Sequence, residues 1–142
     1  METTTQSSKV LYTGKTHTTG GREHGTSRSS DGALDIKLSE PNTGGNGTNP
    51  EQLFAAAWST CYESAMVTAA RRLKMTLPDN TAIDAEIDLC LVKGEFSLRA
   101  RLNVSIPGLD KEIARQITEM AHHICPYSKA IQGNVKVETN LV

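Results

Sequence analysis

Three cysteines, Cys61, Cys90 and Cys125, hold the most reactive side chains of this 142-residue chain. A thiol acts as a nucleophile only as the thiolate; otherwise a free cysteine is a small buried hydrophobe. Cys61 lies among Ala57, Ser59, Ser64 and Ala65, side chains small enough to leave a thiol accessible. Two readings stand side by side, a packed thiol in a small-residue helix and a nucleophile. Cys125 directly precedes Pro126-Tyr127-Ser128, and a proline at that point interrupts a helix. A cysteine at such a break could approach another element, although the distance from Cys61 in sequence makes any contact tertiary. Cys90 shares a strand face with Asp84, Glu86 and Asp88 and reads as a bystander.

His122 and His123 come just before Cys125 and raise the question of zinc. Neighbouring helical residues point about 100° apart, and the chain has no Cys-x-x-Cys spacing, so no metal site is expected. His17 and His24 read as loop or surface residues. Taken alone, Arg22 is a loop cation, and Glu51 is a carboxylate well placed at the positive end of a helix.

The elements that must position these residues follow from patterning. A weakly patterned strand is expected near Lys9–His17, a loop or strand end at Thr18–Arg22, and a turn at Arg28–Gly32. Leu34, Ile36 and Leu38 alternate with polar residues as in a half-buried strand, and the Gly- and Asn-rich stretch Pro41–Gly47 is a loop. Asn49 as N-cap, Pro50 at the first helical position and Glu51 in the first turn start a helix that runs toward Lys74. Phe54, Trp58, Cys61, Ala65 and Ala69 fall on one stripe of it. Alternation over Ile83–Leu91 and Phe96–Ile106, broken at Lys93-Gly94, predicts a hairpin. Asp110 caps a second helix, with a stripe at Ile113, Ile117, Met120 or Ala121, and Ile124, which ends at Cys125-Pro126. Val135–Thr139 is a last strand. The fold class is α+β, mostly antiparallel strands with two main helices against one face. A flexible tail, residues 1–8, precedes a single domain over residues 9–142.

Composition narrows the function. Lysine and arginine number 15 against 16 acidic residues, for a net charge of −1, which argues against a nucleic-acid partner. No run of 18 apolar residues suggests membrane insertion. The polar start, Met1–Ser8, has no export signal, so a cytoplasmic location is expected. In that compartment an odd number of cysteines is not a structural disulfide framework.

Taken in order, Thr19-Gly20-Gly21-Arg22, Ser30-Asp31-Gly32, Gly47-Thr48-Asn49-Pro50-Glu51-Gln52-Leu53-Phe54-Ala55-Ala56, Cys61 and Cys125-Pro126-Tyr127-Ser128 resemble the organic hydroperoxide resistance (Ohr/OsmC) family, and the Ohr branch more than the OsmC branch. The likeness extends over nearly all the chain beyond residue 9.

The resemblance implies a role for each matched residue. Cys61 would be the peroxidatic cysteine and Cys125 the resolving one, Arg22 would hold the thiolate and the peroxide, and Glu51 would orient Arg22. It implies an intertwined homodimer with sites at the subunit interface, and alkyl or fatty-acid hydroperoxides as substrates. It implies no bound cofactor or metal, with dihydrolipoamide or a lipoylated protein as reductant. The alternatives are an OsmC-branch peroxidase and a thiol redox sensor without efficient turnover. A hydrophobic wall near Trp58, Tyr62 or Phe96 would favour alkyl-bearing substrates.

Overall fold

The computed structural model describes residues 7–142; most of the expected tail, residues 1–6, lies outside the described residues. The chain divides into two compact units, residues 1–49 and 50–142, taken here in turn.

The first unit holds a three-stranded antiparallel sheet, β1 (Thr16–Thr19), β2 (Thr26–Ser29) and β3 (Asp35–Lys37), in that spatial order. A single helical turn, α1 (Gly21–His24), links β1 to β2. Its entry needs glycine: Gly20 and Gly21 have φ of 81° and 72°, a region that costs other residues steric strain. At its exit, a side chain on Gly25 would collide with the carbonyl oxygens of Gly21 and Thr19. Asp31 tightens the β2–β3 turn by accepting from Ser29 Oγ at 2.7 Å and the Ala33 N–H at 3.0 Å.

Two expectations are corrected in this unit. The strand expected over Lys9–His17 begins only at Thr16, and Val10, Leu11 and Tyr12 are exposed. Arg28 and Ser29, expected in a turn, end β2 instead. The half-buried strand expected around Leu34–Leu38 is β3, with Leu34 and Ile36 partly buried and Leu38 buried.

The second unit opens with α2 (Pro50–Arg72). The helix ends in a left-handed cap at Lys74 (φ 60°). There Met75 N–H reaches Ala70 O at 2.9 Å and Lys74 N–H reaches Arg71 O at 2.9 Å, the Schellman pattern with lysine where glycine is usual. β4 (Ala82–Val92) and β5 (Glu95–Ser105) pair antiparallel along their full lengths. The turn between them has φ of 51° at Lys93 and 81° at Gly94, both positive, as a type I′ hairpin requires. Asp110 caps α3 (Lys111–Ile124), accepting from the N–H groups of Glu112 and Ile113 at 3.1 and 3.2 Å. After α3 come a short helix, α4 (Pro126–Ile131), and β6 (Lys136–Leu141), which pairs parallel to β5.

One face of this sheet carries Ile83, Ala85, Ile87, Ala100, Leu102, Val104 and Val137, packed with α2 and α3 into the core. Fully buried Leu102 and Ile117 each stabilise the fold by roughly 1.5–3 kcal/mol. The opposite face is polar. Arg101 grips Asp88 through both terminal nitrogens at 2.9 and 2.8 Å and Glu86 through Nε at 2.8 Å. That guanidinium holds the Asp88 carboxyl below its usual range. The α+β architecture, largely antiparallel with two main helices on one sheet face, is thus the expected one, extended by α1 and α4.

Candidate active site

Cys61 sits on α2, half-buried against the core, with Trp58 one turn before it and Tyr62 next to it. α2 runs unbroken from Pro50 to Arg72, so Glu51 and Cys61 are separated by about 15 Å along the helix axis. Glu51 occupies the first turn and is half-buried. In the other unit, Arg22 is half-buried on α1 and is held up by the two left-handed glycines.

Cys125 is fully buried at the junction of α3 and α4. Its N–H closes α3 on Ala121 O at 2.8 Å, and its carbonyl accepts from Lys129 N–H at 3.1 Å. Its φ and ψ, −67° and 119°, are the extended values favoured before proline. Its Sγ accepts from the Ser128 N–H at 3.5 Å, which makes a thiol the N-cap of α4.

The tertiary fold brings the two cysteines together. Cys125 and the backbone N–H of Tyr127 lie near enough to act on the acidity of the Cys61 thiol. Both cysteines are free thiols. Burial pushes the Cys61 pKa up, the Cys125 thiol adds to the rise through its hydrogen bond and its charge, and the Tyr127 N–H pulls it down. The second unit therefore brings the two thiols near each other, and its burial works against a Cys61 thiolate. Cys90 is elsewhere, half-buried on β4 and opposite Ser97.

Trp58 and Tyr62, two of the residues near which a hydrophobic wall is expected from the sequence, lie in the core. Both are fully buried and their polar atoms are engaged. Trp58 Nε1–H donates to Ser128 Oγ at 3.0 Å, and Phe54 packs edge-on against the indole at 5.9 Å between centroids. Tyr62 Oη–H donates to Thr118 O at 2.6 Å. Phe96, near the hairpin turn, is 73% exposed.

Sequence reasoning weighed His122 only as a zinc ligand and missed the hydrogen bonds it makes beside Cys125. His122 lies against the Tyr62 ring at 4.6 Å between centroids. Its Nδ1 is 3.0 Å from Ser128 Oγ and its Nε2 is 2.7 Å from Thr139 Oγ1. Both ring nitrogens are thus taken by hydroxyls. Burial, then the nearby charge of His123, lowers the His122 pKa. The histidine three residues before Cys125 and the serine three after it were the available signal, since helical spacing brings both back to the same junction. His17, His24 and His123 are exposed.

Over residues 43–140 the chain matches the family model described as OsmC-like protein. It is 44% identical over 137 residues to the organic hydroperoxide resistance protein of Xanthomonas axonopodis pv. citri (strain 306), covering 94% of this chain and 96% of that one. It is 40% identical over 141 residues to the organic hydroperoxide resistance protein OhrB of Bacillus subtilis (strain 168), covering 93% and 98%. The crystal structure of that OhrB superposes with a TM-score of 0.88 at 37% identity, over 94% of this chain and 100% of the other. The fold and the match define an OsmC-like protein. The chain belongs to the Ohr/OsmC family. Among the described residues, no helix is long and apolar enough to cross a membrane.

Proposed function

We propose that this protein is a thiol peroxidase that reduces organic hydroperoxides to alcohols. The observation that carries the reading is the nearness of the Cys61 and Cys125 thiols on the scaffold of a family whose relatives are named for organic hydroperoxide resistance. In the first step the Cys61 thiolate attacks one peroxide oxygen. A sulfur–oxygen bond forms, the oxygen–oxygen bond breaks, and the alkoxide leaves and takes up a proton to become the alcohol. Cys61 is left as a sulfenic acid. In the second step Cys125 sulfur attacks Cys61 sulfur, and the hydroxyl leaves with the Cys125 proton as water. A dithiol then reopens the disulfide by two exchanges. Dihydrolipoamide or a lipoylated protein fits that role in a cytoplasmic enzyme.

Something must offset the forces that raise the Cys61 pKa. Arg22 is assigned to this work, because a guanidinium stays charged at all working pH values and its planar fork can face a thiolate and a departing oxygen together. Glu51 pairs with Arg22 and orients it. Since α2 is unbroken between Glu51 and Cys61, the homodimer implied by the resemblance supplies the simplest geometry: Arg22 and Glu51 of one subunit serve Cys61 and Cys125 of the other. No metal or prosthetic group takes part in these steps.

One equivalent of an alkyl hydroperoxide added to the reduced protein is expected to consume two thiols and release one equivalent of alcohol. Loss of thiols at Cys90, or of none, would overturn the assignment.

A further inference from the structure

We infer that His122 and Ser128 are positioning residues for disulfide closure, holding Cys125 where it can attack an oxidised Cys61. This rests on the peroxidase reading above and extends it to residues with no role in that reading.

Ser128 is the centre of the arrangement. It is 7% exposed, and its backbone N–H binds Cys125 Sγ. Its hydroxyl lies 3.0 Å from Trp58 Nε1 on α2 and 3.0 Å from His122 Nδ1 on α3. An indole N–H can only donate, so Ser128 Oγ accepts there. The hydroxyl hydrogen then goes to His122 Nδ1, the acceptor the structure offers it. His122 carries its own proton on Nε2 and donates it to Thr139 Oγ1, at 2.7 Å on β6. This chain of bonds fastens three elements at one serine and reaches β6 through His122. Trp58 is one helical turn from Cys61, and Ser128 is one turn from Cys125, so the same serine ties the segments that carry both sulfurs.

Closing the disulfide moves only sulfur atoms if those segments are already fixed. Formation of the sulfur–sulfur bond and loss of the Cys61 hydroxyl as water require a narrow approach of Cys125 sulfur to Cys61 sulfur. Cys125 makes and breaks no bond in the peroxide step. Loosening Ser128 should therefore slow closure and spare sulfenic acid formation.

Trp58 is the sole tryptophan in the chain, so intrinsic fluorescence reports on this network during the reaction. The experiment is rapid mixing of the reduced full-length protein with an alkyl hydroperoxide. The phase that depends on peroxide concentration is sulfenic acid formation, and the phase that does not is closure. In Ser128→Ala and His122→Gln, closure is expected to slow by about tenfold or more, as small misplacements of reacting atoms do, with the first phase unchanged. Glutamine can still reach Thr139 but leaves the Ser128 hydroxyl without its acceptor. His122→Asn puts an amide oxygen where Nδ1 stood and is expected to restore closure to within about threefold of the native rate. A structural role alone would slow both phases or give no rescue by asparagine.

Closure at the native rate in Ser128→Ala and His122→Gln would overturn the inference, as would equal slowing of both phases. Should one variant fail to fold, the other decides. A native protein that never reacts with the peroxide would instead overturn the peroxidase reading on which the inference rests.

Discussion

Cys61, midway along α2, and Cys125, at the α3–α4 junction, come near enough for one thiol to act on the acidity of the other. The two residues are joined across the core by the packing of α2 on α3 and α4, not by sequence proximity. The two thiols are neighbours while both are free.

The pair gives opposite expectations for its two mutants. Cys61→Ser should remove peroxide turnover entirely while leaving the fold intact. Cys125→Ser should still reduce one peroxide per chain, then accumulate sulfinic and sulfonic acid at Cys61 under excess peroxide. Intact-mass spectra distinguish these states, and a Cys125→Ser protein that gains no oxygens would remove Cys125 from the resolving role.

The acidity of Cys61 tests which neighbours matter. Cys125 raises the Cys61 pKa through a hydrogen bond and a charge, so Cys125→Ala should lower it. Arg22→Ala should raise it, because the cation that favours the thiolate is gone. Ultraviolet thiolate absorbance against pH measures both. An Arg22→Ala titration that matches the native one would exclude Arg22 from the site.

Subunit exchange tests the shared-site geometry. Cys61→Ser and Arg22→Ala homodimers should each be nearly inactive. Mixed dimers should recover activity, since one of their sites then combines an intact Cys61 with an intact Arg22. No recovery on mixing would place Arg22 and Cys61 of a site in the same chain.

His122 should leave a signature in stability. Its folded pKa lies below its ordinary value of 6.5, so the unfolded chain binds the proton more readily. Stability is therefore full above about pH 6.5 and falls as pH drops toward the folded pKa, then levels off. The groups around the imidazole are Tyr62 on α2, His123 on the same helix, and Arg115 and Glu119, which share a cavity wall with it. His122→Asn leaves all of these in place. Its denaturation midpoint should vary less than the native one between about pH 7 and 5, and equal slopes would assign the loss to another group.

Tyr62→Phe should cost about 1 kcal/mol, the net worth of the bond to the Thr118 carbonyl, which keeps its partner within α3. Urea denaturation measures this. A wild-type midpoint would mean that the Tyr62 hydroxyl adds nothing to stability.

Where apolar residues recur with a clear period, the elements were legible from sequence. α2 with its Asn49-Pro50 start, the β4–β5 hairpin and the Asp110 cap all follow from such signals. β1 and β2 were not legible, because Thr16–Thr19 and Thr26–Ser29 contain no apolar residue to alternate. The apolar Val10, Leu11 and Tyr12 suggested a strand where the chain forms none. The last strand was expected, but its parallel pairing with β5 was hidden, since pairing direction depends on the path of α3 and α4 and not on the pattern within β6.

At the site, residue types marked Cys61 and Cys125, but only their places in the family order joined them before the fold did. The network through Trp58, Ser128, His122 and Thr139 was invisible, because it links four elements that are distant in sequence. Trp58 and Tyr62 read as candidates for a substrate wall because a large aromatic can line a pocket or fill a core equally well. Here both fill the core.

The most direct test of peroxidase function is steady-state peroxide consumption by the purified protein with dihydrolipoamide, comparing an alkyl or fatty-acid hydroperoxide with hydrogen peroxide. Rapid turnover that favours the organic substrate and disappears in Cys61→Ser is the expected result. A single round of oxidation without turnover, or turnover that survives Cys61→Ser, would contradict it.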